Sequence, residues 1–159
     1  MDNLWAPWRM TYILGEDKAQ GCIFCLDREG PDKDRLVLYA DQTALVMMNR
    51  YPYNNGHLLV APRRHVSGLD DLSADEVARL TALQCRALAA LKAEMNPDGF
   101  NIGLNLGRIA GAGIESHLHY HLVPRWSGDV NYMTVLAEVR VVPEHLETTF
   151  DRLAARFQD

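Results

Sequence analysis

A chain of 159 residues, 48% hydrophobic and 23% charged, has enough apolar material for one globular domain and far more than a disordered chain carries. Its 21 acidic side chains outnumber 16 basic ones for a net charge of -5, so it offers no general field for a nucleic-acid backbone, although a local cationic site for a phosphorylated metabolite stays open. No stretch approaches the roughly 20 apolar residues of a membrane helix, and the start, with Asp2 and Arg9 around Trp5, Pro7 and Trp8, lacks the apolar core of a secretory signal. A cytoplasmic protein without membrane or nucleic-acid partners is the expectation.

Residues 1–35, rich in Gly, Asp, Lys and Arg, keep neither helical nor strand periodicity and read as an irregular arm of a single domain spanning 1–159. Two short apolar runs follow, Leu36 to Tyr39 and Ala44 to Met48, parted by Asp41 and Gln42 in the manner of a β-hairpin. The turn formers Asn49-Arg50-Tyr51-Pro52-Tyr53-Asn54-Asn55-Gly56 lead into a core strand from His57 to Ala61, which Pro62 stops. Ser73-Ala74-Asp75-Glu76 has the spacing of a capping box, and Val77, Leu80, Gln84, Ala87, Leu88, Leu91 and Met95 then recur every three or four residues, which predicts a long helix. Cys85, within it, reads as a packed thiol. Asn96-Pro97-Asp98-Gly99 ends the helix. A strand is expected over Phe100 to Leu106, a small-residue loop over 107–113, and another strand over Ser116 to Val123. Beyond Pro143, Leu146, Phe150, Leu153 and Phe157 share one helical face. This order predicts an α+β fold with an antiparallel sheet of about five strands, a long central helix and a C-terminal helix.

The chemistry concentrates in Ser116-His117-Leu118-His119-Tyr120-His121-Leu122-Val123-Pro124. On a strand, His117, His119 and His121 project from one face while Leu118, Tyr120 and Leu122 project from the other, toward a core. One-sided imidazoles are metal ligands or catalytic groups. A neutral imidazole can attack phosphorus and split one displacement into two easier ones, provided that one nitrogen is free and the other is held protonated by an acceptor such as a backbone carbonyl. The loop before the strand, with Gly107, Gly111 and Gly113, lets backbone N–H groups approach an anion, which suits phosphate.

Of three cysteines, at 22, 25 and 85, the Cys22-x-x-Cys25 pair points in a cytosolic setting to metal or redox chemistry. Two thiolates are half of a tetrahedral Cys2His2 zinc site. His65 and His117 are the candidates for the other half, because His57 lies inside an apolar strand and His145 begins the terminal helix. Arg63 and Arg64 read as a solvated pair at a strand end.

The run His117 to Pro124 resembles the signature of the histidine triad (HIT) superfamily of nucleotide hydrolases and transferases, and Asn54-Asn55-Gly56-His57-Leu58-Leu59-Val60-Ala61-Pro62-Arg63-Arg64-His65 is similar to its second conserved block. Leu4 to Arg9, Ala110 to Ile114 and Val123 to Asp129 look most like the diadenosine tetraphosphate phosphorylase branch. The resemblance implies that His119 takes a nucleoside monophosphoryl group, that His121 contacts phosphates, that Asn49 holds the ribose, and that Asn105, Gly111 and Gly113 surround the phosphates. Trp126 belongs to the same phosphorylase-like stretch and is counted with the substrate-binding residues. It further implies a structural zinc on Cys22, Cys25, His65 and His117, and a symmetric homodimer. Many members place a glutamine or serine side chain in the loop before the triad, where this chain has Gly111 to Gly113; the uridylyltransferase branch usually has glutamine at the position of His121.

These readings converge on cleavage of dinucleoside polyphosphates through a nucleotidyl-His119 intermediate, with inorganic phosphate rather than water as acceptor. A dinucleoside polyphosphate hydrolase and a nucleoside phosphoramidase share the intermediate and stand as alternatives. From another class, a zinc-stabilised nucleotide-binding regulatory protein would keep the triad without turnover.

Overall fold

The structure is a computed structural model that describes residues 21–129 and 144–158; the readings at Trp5, Trp8 and Pro143 lie outside the described residues. In chain order it contains strands β1 (Val37–Ala40), β2 (Ala44–Met48) and β3 (Leu58–Pro62), helix α1 (Ala74–Met95), strands β4 (Gly99–Leu104) and β5 (Tyr120–Arg125), and helix α2 (Leu146–Ala154). All strand pairings are antiparallel, and the five strands form one sheet in the order β1-β2-β3-β5-β4. The α+β architecture expected from the sequence is the one observed.

Both faces of the inner strands are covered, which is why every residue of β2 and β3 is buried and neither shows the alternation of a half-solvated strand. On one face, Leu38, Val46, Met48, Leu58, Val60 and Leu122 meet the two helices. On the other, Val37, Leu45, Met47, Leu59 and Ala61 meet Phe24 from the arm. Helix α1 begins as its sequence predicts, with the Ser73 side chain accepting the Glu76 N–H and the Glu76 carboxylate accepting the Ser73 N–H. It buries Leu80, Leu83, Ala87, Ala90 and Leu91, each leucine contributing about 1.5–3 kcal/mol of transfer free energy. At its C-terminus Asn96 takes a left-handed conformation, which Asn tolerates better than most residues.

Two expectations on α1 are corrected. Cys85 is exposed, because it lies two residues from both Leu83 and Ala87, about 200° around the helix from the buried stripe. Val77 is 44% exposed and Leu83 and Ala90 fill the face instead.

The last strand also starts later than its pattern suggests. His117 and His119 precede the ladder of β5, which pairs with β3 only over Tyr120 to Leu122. Pro62 has no N–H to offer a further rung, and its carbonyl is engaged by the His117 imidazole at 2.8 Å. A backbone bond from the Leu118 N–H to the Val66 carbonyl at 2.7 Å also holds the chain there.

Candidate active site and metal centre

A row of cross-strand neighbours runs Val37, Met47, Leu59, His121 and Gly103 across the sheet, so His121 lies on the face that the arm covers. His117 and His119 extend the same face beyond the ladder, with both rings against Phe24. Leu118 and Leu122, of the opposite parity, are buried.

Each imidazole has its second nitrogen engaged differently, and this separates their chemistry. His119 Nδ1 lies 2.8 Å from the His117 carbonyl oxygen; a carbonyl only accepts, so the proton is on Nδ1 and the Nε2 lone pair is free. Burial pushes the His119 pKa down, against the opposing effect of that carbonyl, which keeps the ring neutral near pH 7.

His121 is fixed by a relay that begins in the loop before β3. The Tyr53 N–H donates to His57 Nδ1 at 3.0 Å, and the Asn49 side-chain amide lies 3.4 Å from the same nitrogen. His57 therefore carries its proton on Nε2 and donates it to His121 Nδ1 at 2.9 Å. The His121 proton then sits on Nε2, which is buried and has no hydrogen-bond partner among the described residues. Burial, with the neighbouring His119 adding, pushes the His121 pKa down to about 4. A buried donor without an acceptor costs about 1–3 kcal/mol and fits an anionic ligand.

His117 faces the other way. Its Nε2–H donates to the Pro62 carbonyl, which leaves Nδ1 as a lone pair 3.3 Å from Cys22 Sγ, 3.8 Å from Cys25 Sγ and 3.2 Å from His65 Nδ1. Cys25 Sγ is 3.3 Å from His65 Nδ1, and the four ligand atoms all lie within 4.8 Å of one another. Donors around a tetrahedral zinc are separated by about 3.3–3.8 Å at ordinary bond lengths. The carbonyl behind His117 is the outer-sphere acceptor that such a ligand needs. Cys22, Cys25, His65 and His117 could thus hold a metal ion.

The arm is clamped by guanidinium groups. Arg63 donates to the carbonyls of Leu26, Arg28 and Asp41, and Arg35 to those of Ile23 and Cys25. Arg63 is thus only partly the solvated residue its sequence position suggested. Arg64 instead pairs with Glu76 at 2.9 Å.

Other predicted residues sit differently. The Asn49 side-chain oxygen accepts the Tyr51 N–H at 2.9 Å, so its amide is engaged within its own loop. Gly107 and Gly111 have positive φ, as the tight turn over 108–110 requires, and the Gly111 N–H bonds the Arg108 carbonyl. The Gly113 N–H has no partner among the described residues. Trp126 donates its indole N–H to the Met95 carbonyl at 3.3 Å, docking the end of β5 on α1. Among the described residues, neither Asn105 nor Trp126 bonds a triad imidazole.

Sequence reasoning missed His57, Tyr53 and Phe24. Strand parity held the signal for His57: it lies two residues before Leu59, which pairs with His121. Tyr53, whose ring stacks on His121 at 5.7 Å, sits in a loop without parity. Phe24, between two cysteines, carries no pattern of its own.

The HIT domain family matches residues 31–128, and the chain belongs to that family. This places it among the family's nucleotide-processing enzymes. An AP-4-A phosphorylase of Mycobacterium tuberculosis is 37% identical over 165 aligned positions, covering 99% of this chain and 85% of the relative. An adenosine 5'-monophosphoramidase of Schizosaccharomyces pombe is 24% identical over 137 positions, covering 86% and 98%. Among solved structures, a zinc-bound histidine triad protein of Mycobacterium smegmatis aligns with a TM-score of 0.62 at 28% identity, over 93% of this chain and 91% of that one. A histidine triad nucleotide-binding protein of Sulfolobus tokodaii aligns with a TM-score of 0.66 at 27% identity, over 85% and 91%.

Proposed function

We propose that the protein cleaves dinucleoside polyphosphates such as diadenosine tetraphosphate by nucleotidyl transfer through His119, with inorganic phosphate as the acceptor. The observation that carries this reading is the state of two neighbouring imidazoles: His119 with its proton tied to the His117 carbonyl and Nε2 free, and His121 with a buried donor and no acceptor. In the first step a bond forms between Nε2 and the α-phosphorus while the bond from that phosphorus to the bridging oxygen breaks, releasing ATP. The His121 N–H stabilises the charge that develops on phosphate oxygen. In the second step a phosphate oxygen attacks, the N–P bond breaks, and ADP leaves with His119 restored.

The glycine loop supports phosphate over water, since Gly113 offers an N–H to an anion and an attacking water needs no such cradle. The phosphorylase named among the relatives points the same way. Cys22, Cys25, His65 and His117 would hold one zinc ion, which supplies a cross-link between arm and sheet. The outer edge of β4, unpaired among the described residues and with Ile102 46% exposed, supports a symmetric homodimer, each copy a single domain over 1–159. No helix among the described residues is long and apolar enough to cross a membrane, which accords with a cytoplasmic enzyme.

The test is to supply diadenosine tetraphosphate with and without added phosphate and identify the products. Phosphate-dependent ADP together with ATP is expected. AMP with ATP at a rate indifferent to phosphate would make the enzyme a hydrolase. Faster release of AMP from an adenosine phosphoramidate would favour the phosphoramidase activity named for the yeast relative.

A further inference from the structure

We propose that Phe24 is a positioning residue for His119, so that the Cys-x-x-Cys arm orients the attacking imidazole as well as fastening the chain. The inference rests on His119 being the attacking group.

Among the described residues, the ring of His119 has one hydrogen bond to hold it, from Nδ1–H to the His117 carbonyl. A single hydrogen bond at one ring atom leaves the plane free to swing about it, and swinging moves Nε2 off the line of attack. Two rings close that freedom. Phe24 lies nearly parallel to His119, 4.8 Å between centroids at 29°, and His121 meets it edge-on at 4.9 Å and 62°. The Phe24 and His117 ring centroids are 5.0 Å apart, so one aromatic ring packs against both the nucleophile and the residue whose backbone carbonyl fixes the nucleophile's tautomer.

Phe24 is itself placed by the arm. It is fully buried and sits between the two cysteines, whose turn is closed by the Cys25 N–H bonding the Cys22 carbonyl at 3.2 Å. Arg35 holds the carbonyls on either side of Phe24, those of Ile23 and Cys25. An ion on the two cysteines, His65 and His117 would therefore fix Phe24 and His117 together, and its removal would release both braces at once. Displacing a reacting atom by about 1 Å can cost on the order of a hundredfold in rate.

The experiment compares the zinc-loaded wild type with zinc-loaded Phe24→Leu and Phe24→Ala, the first keeping most of the buried volume without the flat ring. Four quantities are read: zinc per chain, melting temperature, kcat and KM with diadenosine tetraphosphate, and the ring nitrogen shifts of His119. The expected result for Phe24→Leu is zinc retained, KM within about twofold, kcat lowered about ten- to a hundredfold, and a His119 spectrum that shows both tautomers instead of the Nδ1–H form alone. Wild type treated with a chelator should show the same mixed spectrum. An unchanged His119 spectrum with kcat within twofold of wild type in Phe24→Leu would overturn the proposal, as would a loss confined to zinc content and melting temperature. Should Phe24→Ala fail to fold, Phe24→Leu and the chelated wild type still decide. If wild type forms no nucleotidyl-enzyme at all, the functional reading fails, while the nitrogen shifts still report whether Phe24 orients His119.

Discussion

His117 and His121 stand at the two ends of one triad, on one face of one chain segment, and differ in a single respect: what engages their second nitrogen. At the His117 end that nitrogen donates a hydrogen bond to the Pro62 carbonyl, which turns the remaining lone pair toward two sulfurs and another imidazole. At the His121 end the second nitrogen accepts a hydrogen bond from His57 Nε2–H, which turns an N–H into the site. A lone pair among soft donors suits a cation, and a buried N–H with no partner suits an anion. Identical side chains are thus turned toward opposite kinds of ligand by their neighbours, with His119, the proposed nucleophile, between them.

The largest expected effect falls on the middle residue. His119→Ala should lower turnover by about 10⁴-fold or more, with nucleotide binding by calorimetry largely intact, because only the covalent step needs Nε2. Retained turnover would remove the nucleophile from the comparison.

Breaking the cation end comes next. Removing zinc with a chelator should cost about 4 kcal/mol if the ion is present at a thousand times its Kd, which lowers the melting temperature of a chain this size by about 8–16 °C. Cys25→Ser should act in the same direction. A melting curve and metal content indifferent to both would show that the four residues hold no ion.

At the anion end, His121→Ala should lower kcat about a hundred- to a thousandfold, the usual effect of one donor to developing charge. His57→Leu sharpens the contrast, because it leaves the buried His121 Nδ1 without a donor at a cost of about 1–3 kcal/mol. It should reduce turnover less than His121→Ala and leave zinc content unchanged. If His57→Leu strips the metal instead, the two ends are not separable.

The smallest effect is a titration. In the free protein His121 should titrate near 4, below its ordinary value of 6.5, because burial disfavours the charged ring. Between those values the unfolded chain binds more protons than the folded one, so this group's stability contribution is complete above about pH 6.5 and lost as pH falls through 4. A bound polyphosphate favours the cation and should raise the value. Histidine proton shifts followed with and without a nonhydrolysable dinucleoside polyphosphate check both signs; a His121 pKa that nucleotide leaves unmoved would place the phosphates elsewhere.

Local rules reached the capping box of α1, the hairpin of β1 and β2, and the shared face of the three histidines, because each depends on residues a few positions apart. The same rules misplaced Cys85, since a helix in a two-layer core buries a narrow stripe and the pattern alone does not say which side of Leu80 it favours. The four candidate metal ligands were legible as residue types. Their convergence, with Cys22 ninety-five positions from His117, required the sheet to bring the arm across its face.

That three imidazoles share a surface follows from residue order alone, since parity on an extended chain is a local property of the backbone. The surroundings of each ring arise only when the chain is folded. The tautomer of His117 depends on Pro62, that of His121 on a relay through His57 from the Tyr53 backbone, and the His119 ring stacks on Phe24 of the arm. Those partners lie outside any local window, and a proton's position on an imidazole follows from the atom it meets.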